Sequence, residues 1–104
     1  KSQPITKVTS KDVRLLHKTN EDPINKIYEL TIRAENQTDK TLPAFSAEYY
    51  LTFDNGKKEL VYTANFKPIT GKNSEDIKVN IYPFFEERGL QITDRKSFEL
   101  LLKQ

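Results

Sequence analysis

The chain lacks cysteine, methionine and tryptophan, and it contains a single histidine, His17. Without cysteine it can form neither a disulfide framework nor a thiolate metal site, and it has no cysteine nucleophile. One histidine excludes a histidine-rich zinc site, and we interpret His17 as a solvated side chain on a strand edge. No Gly-x-Ser-x-Gly or Ser-x-x-Lys motif accompanies any serine. The sequence therefore predicts no catalytic residue, no cofactor and no metal site.

Long apolar runs and a charge excess of one sign are also missing. No segment approaches the ~20 apolar residues of a membrane helix, so we expect no membrane span. The 17 basic residues are balanced by 15 acidic ones, for a formal net charge of +2. A nucleic-acid binder usually carries a strongly basic stripe, so nucleic acid is not an expected partner. The length of 104 residues fits a single domain over 1–104, with 1–3 loose.

The absence of methionine also bears on the origin of the chain, which begins at Lys1. An intact translation product starts with methionine, so we expect that a longer precursor was shortened. A cleaved export signal, a trimmed lipid anchor and excision from a larger protein are the alternatives.

Alternation of apolar and polar residues is the main structural signal. Between Lys26 and Asn36, apolar side chains occur at every second position, which predicts a half-buried strand. Asp76–Tyr82 alternates in the same way, and Pro83 ends it. A run from Ile5 to Leu15 predicts an edge strand with a break near residues 9–12. Turn residues separate these runs, so we expect an all-β antiparallel sandwich of about seven or eight strands.

The stretch from Ala47 to Thr63 predicts the central hairpin. Asn55-Gly56 favours a two-residue type I′ turn, which needs positive φ at both residues. This loop sets Leu51 opposite Leu60 and Tyr49 opposite Tyr62. A three-residue loop would set Leu51 opposite Glu59, and the apolar pattern argues against it.

The end of the chain allows two interpretations. Residues 84–89 suggest one helical turn with Gly89 as its cap, and Leu90 and Ile92 suggest a short strand. Ser97–Lys103 is interpreted as a closing strand, although a helix capped by Asp94 is the alternative.

Several turn motifs carry a resemblance to a known family. Glu35–Lys40 after an alternating strand, then Tyr49-x-Leu51-x-Phe53-Asp54-Asn55-Gly56-Lys57, then Ile69-x-Gly71-Lys72, are the motifs in question. From about Val13 onward the chain resembles the telokin-like, immunoglobulin-like domains of Gram-positive lipoproteins and other cell-envelope proteins. The resemblance implies an immunoglobulin-like sandwich in an extracellular or cell-surface location, secreted or lipid-anchored. The leading functional expectation is a non-catalytic binding or spacer module for a protein or a cell-wall component.

Aromatic residues supply the one candidate interaction surface. Phe84, Phe85 and Arg88 follow Pro83 outside a regular strand, and aromatics and arginine are enriched at binding hot spots. In the competing interpretation, the two rings plug the end of the core. An alternative function is a protease inhibitor that presents the loop Leu42-Pro43-Ala44 to a protease. An enzyme whose reacting groups converge only in the fold is the third hypothesis.

Overall fold

The computed structural model describes residues 5–103, so the prediction that 1–3 are loose lies outside the described residues. The described chain forms a two-sheet, all-β sandwich, as expected, but with six strands instead of seven or eight. The strands are β1 (Val13–Asp22), β2 (Ile27–Asn36), β3 (Phe45–Phe53), β4 (Lys58–Phe66), β5 (Ser74–Asn80) and β6 (Arg95–Lys103). A short helix, α1 (Tyr82–Glu87), connects β5 to β6.

Each sheet contains one hairpin and one strand from further along the chain. The first sheet has the order β1-β2-β5 and the second has β4-β3-β6, with every neighbouring pair antiparallel. The core lies between the sheets because alternate side chains of each strand point to the same face. Its largest fully buried side chains are Tyr28, Tyr49, Phe85, Leu30, Ile32, Leu42, Leu51, Ile69 and Val8.

The strand predicted over Lys26–Asn36 is confirmed as β2. Tyr28, Leu30, Ile32 and Ala34 are all fully buried, because β2 is the central strand of its sheet and its apolar face lies against the second sheet. Its pairing with β1 runs without a shift from Val13–Asn36 to Asp22–Ile27.

The predicted two-residue turn between β3 and β4 is wrong. The Phe53 amide donates to the Lys57 carbonyl (2.8 Å), and the Gly56 amide donates to the Phe53 carbonyl (2.9 Å), which closes a three-residue loop. Gly56 has a φ of 88°, but Asn55 is not in the positive-φ region that a type I′ turn needs. A turn followed by a left-handed glycine is the usual form of a three-residue hairpin loop.

The register next to this loop differs from the prediction for the same reason. Leu51 lies opposite Glu59, so the predicted pairing of Leu51 with Leu60 is wrong. A bulge then adds one residue, Val61, to β4, and the predicted pairing of Tyr49 with Tyr62 is confirmed. The bulge cancels the offset of the three-residue loop, so that the remainder of the hairpin regains the predicted register.

The edge strand begins later than predicted. The chain turns at Thr9, whose amide and hydroxyl both donate to the Asp12 carboxylate (3.0 and 2.9 Å), and β1 starts at Val13. The strand continues to Asp22, because the next turn is made at Asp22 and Pro23.

At the other end, the helical turn before Gly89 is confirmed as α1, and Gly89 has a φ of 64°. The strand predicted at Leu90 and Ile92 is wrong. Ile92–Asp94 forms a 3-10 turn, because the Asp94 side chain accepts from the Gln91 amide and closes it. The closing strand is confirmed as β6, and the helical alternative is wrong.

Candidate functional site

The candidate surface predicted from the sequence lies on and beside α1. The Asn80 side-chain oxygen accepts from the amides of Tyr28 (2.8 Å) and Tyr82 (3.1 Å), which fixes the start of α1 against β2. Pro83 lies in the first turn, where a backbone N–H would have no acceptor within the helix, so proline costs no hydrogen bond there. At the far end, the Leu90 amide donates to the Phe85 carbonyl (2.9 Å), because Gly89 turns the chain back.

The two phenylalanines of α1 have different environments. Phe85 is 1% exposed and stacks on the ring of Tyr28, with centroids 5.3 Å apart and planes 9° from parallel. It therefore belongs to the end of the core. Phe84 is half-buried, and its ring is parallel to that of Phe53 at 6.4 Å.

Arg88 covers the outer face of Phe84. Its guanidinium carbon lies 3.8 Å from the Phe84 ring centroid, within the range of a cation–π contact. The same side chain donates from Nε to Glu59 Oε2 (2.8 Å) and from Nη1 to the Phe84 carbonyl (3.1 Å). The Arg88 side chain remains 38% exposed to solvent. We call Phe84, Arg88 and Glu59 the α1 patch.

Glu59 carries the negative charge of the α1 patch. Hydrogen bonds from Lys57 and Arg88 hold the pKa of its carboxyl below the ordinary value. Lys57 Nζ lies 2.9 Å from its Oε1, so one carboxylate joins two cations at the surface. The α1 patch thus offers an aromatic edge and guanidinium donors, with the exposed Lys57 ammonium beside it, and these groups can contact apolar and acceptor groups of a partner.

A second cluster, which the sequence did not predict, lies in the gap between β1 and β6. Arg95 forms an ion pair with Glu21, and its guanidinium carbon lies 5.3 Å from the Tyr28 ring centroid and 5.5 Å from that of Phe98. His17 packs edge-on against Tyr49, with ring centroids 5.0 Å apart. The residue is exposed, yet its ring rests on the core, and partial burial lowers its pKa.

Two tyrosines behind this cluster, Tyr28 and Tyr49, are fully buried, and the Tyr49 hydroxyl lacks a hydrogen-bond partner among the described residues. Burial raises the pKa of Tyr28 to about 12 and raises that of Tyr49 further. One sequence signal was available for the cluster: His17 and Glu21 continue the alternation of Val13 and Leu15 along the inner face of β1.

Carboxylates that are adjacent in the sequence contact separate groups in the structure. Glu21 binds Arg95 while Asp22 caps the following turn, and Asp76 binds Arg33 in a two-point contact. Glu86 lies 3.5 Å from Lys26 Nζ. Among residues 5–103, no three His, Asp or Glu side chains lie close enough together to hold a metal ion.

The loop considered for a protease inhibitor is anchored in the core. Leu42 is fully buried, and its amide and carbonyl both pair with Ile69 (2.8 and 3.2 Å). Pro43 is half-buried, so Ala44 is the one exposed residue of the three. The loop does not present the Leu42 side chain to a protease.

None of the helices formed by residues 5–103 has both the length and the apolar character needed to cross a bilayer. Comparison of the chain with protein-family models gives no match, and comparison with curated proteins gives none either.

Proposed function

We propose that the chain is a non-catalytic immunoglobulin-like module that acts as a spacer and binding domain on the outside of a bacterial cell envelope. The location follows from the turn motifs that resemble telokin-like envelope domains. As a spacer, the sandwich holds apart the groups attached to its two ends. As a binding domain, it acts by surface complementarity, with exposed patches that contact a protein or a wall component.

The observation that carries the proposal is the elongated shape of the sandwich. Its principal extents are 54 × 27 × 17 Å, and its radius of gyration is 15.6 Å. A compact domain of this length has a radius of gyration of about 13 Å. Long strands paired over most of their length produce this shape, because each residue of a strand adds ~3.3 Å along one direction. A rod of this kind is suited to spacing.

The strand order supports the immunoglobulin-like assignment. If β1, β2 and β5 take the positions of strands A, B and E, then β4, β3 and β6 take those of C′, C and F. Within each sheet the neighbours are then those of the immunoglobulin sandwich. The α1 patch supports the binding role, because aromatic and arginine side chains at the end of a sandwich form many binding hot spots.

Two measurements test the proposal. Small-angle X-ray scattering should give an elongated particle, and a globular envelope would contradict the spacer role. Protease added to intact bacteria that produce the native protein should remove the chain, while a cytoplasmic control protein survives. Survival of the chain until the cells are lysed would contradict the proposed location.

A further inference from the structure

The four edge strands of the sandwich are protected to different degrees. Edge strands expose unpaired N–H and C=O groups and usually carry charges or bulges that prevent further pairing. Here β1 and β5 are mostly polar, and β4 contains the bulge at Val61. Strand β6 has a register shift only near its start, between Arg95 and Ser97, and Leu100, Leu101 and Leu102 follow one another in its regular second half. Among residues 5–103, only β3 pairs with β6.

The unpaired edge of β6 borders an apolar groove. Val13 and Leu15 of β1 and Leu100–Leu102 of β6 line a groove of about 390 Å³ between the two sheets. Leu100 and Leu102 point toward the core and are half-buried, whereas Leu101 is on the outer face and is 40% exposed. An added strand would complete the backbone pairing of β6 and cover these side chains.

We propose that a second copy of this chain occupies this edge, with the two β6 strands antiparallel about a two-fold axis through Leu101. A two-fold interface brings the same surface of both copies together, so it must be self-complementary. In this register the two Leu101 side chains meet on the outer face. Leu100 of each copy lies opposite Leu102 of the other on the inner face.

The charges on the outer face fit the same register. Glu99 of one copy lies opposite Lys103 of the second copy, and the reverse pair forms by symmetry. Within one copy, Glu99 already accepts from Lys58 (2.6 Å), and Lys103 lies 3.8 Å from Glu48. Across the joined sheets the charges therefore alternate as Lys58, Glu99, Lys103 of the second copy, and Glu48 of the second copy. Opposite charges on directly opposed positions stabilise an antiparallel pair.

A register shifted toward the start of β6 lacks this match. Centred on Glu99, the pairing would set the two Glu99 carboxylates opposite one another on the outer face, which destabilises an antiparallel pair. The charge pattern thus favours the axis at Leu101, which forms two Glu99–Lys103 pairs, over an axis at Glu99. This inference concerns association in solution and is independent of the cellular location and of the shape of the single sandwich.

Sedimentation equilibrium of the 104-residue chain over a range of concentrations tests the proposal. We expect a reversible dimer. Leu101→Lys should weaken it about tenfold or more, because the two like charges would lie opposite each other at the axis. Leu60→Lys is the matched control, since Leu60 is 42% exposed on the other edge of the same sheet. A wild-type chain that stays monomeric at all concentrations, or equal effects of both substitutions, would overturn the proposal.

Charge variants test the register itself. In the proposed register, position 99 of one copy faces position 103 of the other. Glu99→Lys would therefore place lysine opposite lysine at both contacts of its homodimer, and Lys103→Glu would place glutamate opposite glutamate. Each variant should remain monomeric. An equal mixture should form a heterodimer, because every opposed pair is then one lysine and one glutamate. The intramolecular pairs that these changes break are exposed and contribute little to folding, which circular dichroism would verify. Homodimers as strong as wild type, or a mixture that stays monomeric, would contradict this register.

Discussion

The two hairpins of the sandwich reach their pairing in different ways. The β1–β2 hairpin keeps one register along its whole length, whereas the β3–β4 hairpin combines a three-residue loop with a bulge at Val61. Both place the same kind of apolar face on the core. Alternation of apolar and polar residues therefore determines which face of a strand is buried. A one-residue register shift at the loop can be compensated by a one-residue bulge, so the buried face further along the hairpin is unchanged.

Loss of a core side chain from the regular hairpin should have the largest effect. Ile32→Ala removes a fully buried side chain from the centre of β2, and we expect it to lower the free energy of unfolding by ~2–5 kcal/mol. That is comparable with the total stability of a small domain, ~5–15 kcal/mol, so the variant should be close to unfolding. Urea denaturation would measure the change.

Ile27→Ala is the control for this experiment. Ile27 begins the same strand but is 39% exposed, so its truncation leaves a smaller cavity and should have a much smaller effect. Equal denaturation midpoints for the two variants would show that the facing of β2 is wrong.

The loop of the second hairpin provides the next largest effect. Gly56 has a φ of 88°, and no atom lies within 4 Å of the Cβ that a substitution would add. Gly56→Ala should therefore cost about 1–2 kcal/mol through backbone strain alone. Gly56→Asn should cost less, because asparagine tolerates the left-handed region. Thermal unfolding would compare the variants, and an unchanged midpoint for Gly56→Ala would argue against this loop.

Neighbouring tyrosines of β3 should respond in opposite directions. The Tyr49 hydroxyl is buried and has no hydrogen-bond partner within residues 5–103, so Tyr49→Phe should raise stability by up to about 1 kcal/mol. The Tyr50 hydroxyl lies at the surface and donates to Glu48 (2.8 Å), so Tyr50→Phe should lower stability slightly. Urea denaturation of both variants checks the signs. If both lost stability, the environment described for Tyr49 would be wrong.

The smallest effect should come from His17, which joins the two hairpins through its contact with Tyr49. Burial lowers its pKa, so folding favours the neutral imidazole. The contribution of the neutral His17 ring to folding stability is fully present above the ordinary pKa of about 6.5. It is lost as the pH falls toward the lowered pKa of the folded state. Stability should therefore decrease from pH 7.5 to 5.5 in wild type, and His17→Gln should remove this dependence. An identical pH dependence in the variant would contradict the contact.

Much of the fold, but little of the candidate site, could be predicted from the sequence. Strand β2 was predictable because one property, burial of alternate side chains, determines both its facing and its extent. The loop at Asn55-Gly56 was not, because the same dipeptide suits loops of two and three residues. The apolar pattern argued against placing Glu59 opposite Leu51. The charge partner of Glu59 is Arg88, which lies 29 residues away in sequence and so could not be identified from the hairpin alone.

The cluster in the gap between β1 and β6 could not be predicted either, because its residues are also far apart in the sequence. Its ion pair joins Glu21 and Arg95 across two sheets, and only the completed sandwich brings these distant segments together. Of the predicted surface, Phe84 and Arg88 belong to the α1 patch, and Phe85 lies in the core. Their role in binding stays a prediction.

Disulfide trapping tests the difference between the hairpins most directly, because the chain has no cysteine of its own. Thr52 lies opposite Lys58 in the structure, whereas a two-residue loop would set Thr52 opposite Glu59. Directly opposed positions are close enough for a disulfide. The double variant Thr52→Cys/Lys58→Cys should cross-link rapidly on mild oxidation, and Thr52→Cys/Glu59→Cys should stay reduced because its side chains point to opposite faces. Preferential cross-linking of the second variant would contradict the three-residue loop and its compensating bulge.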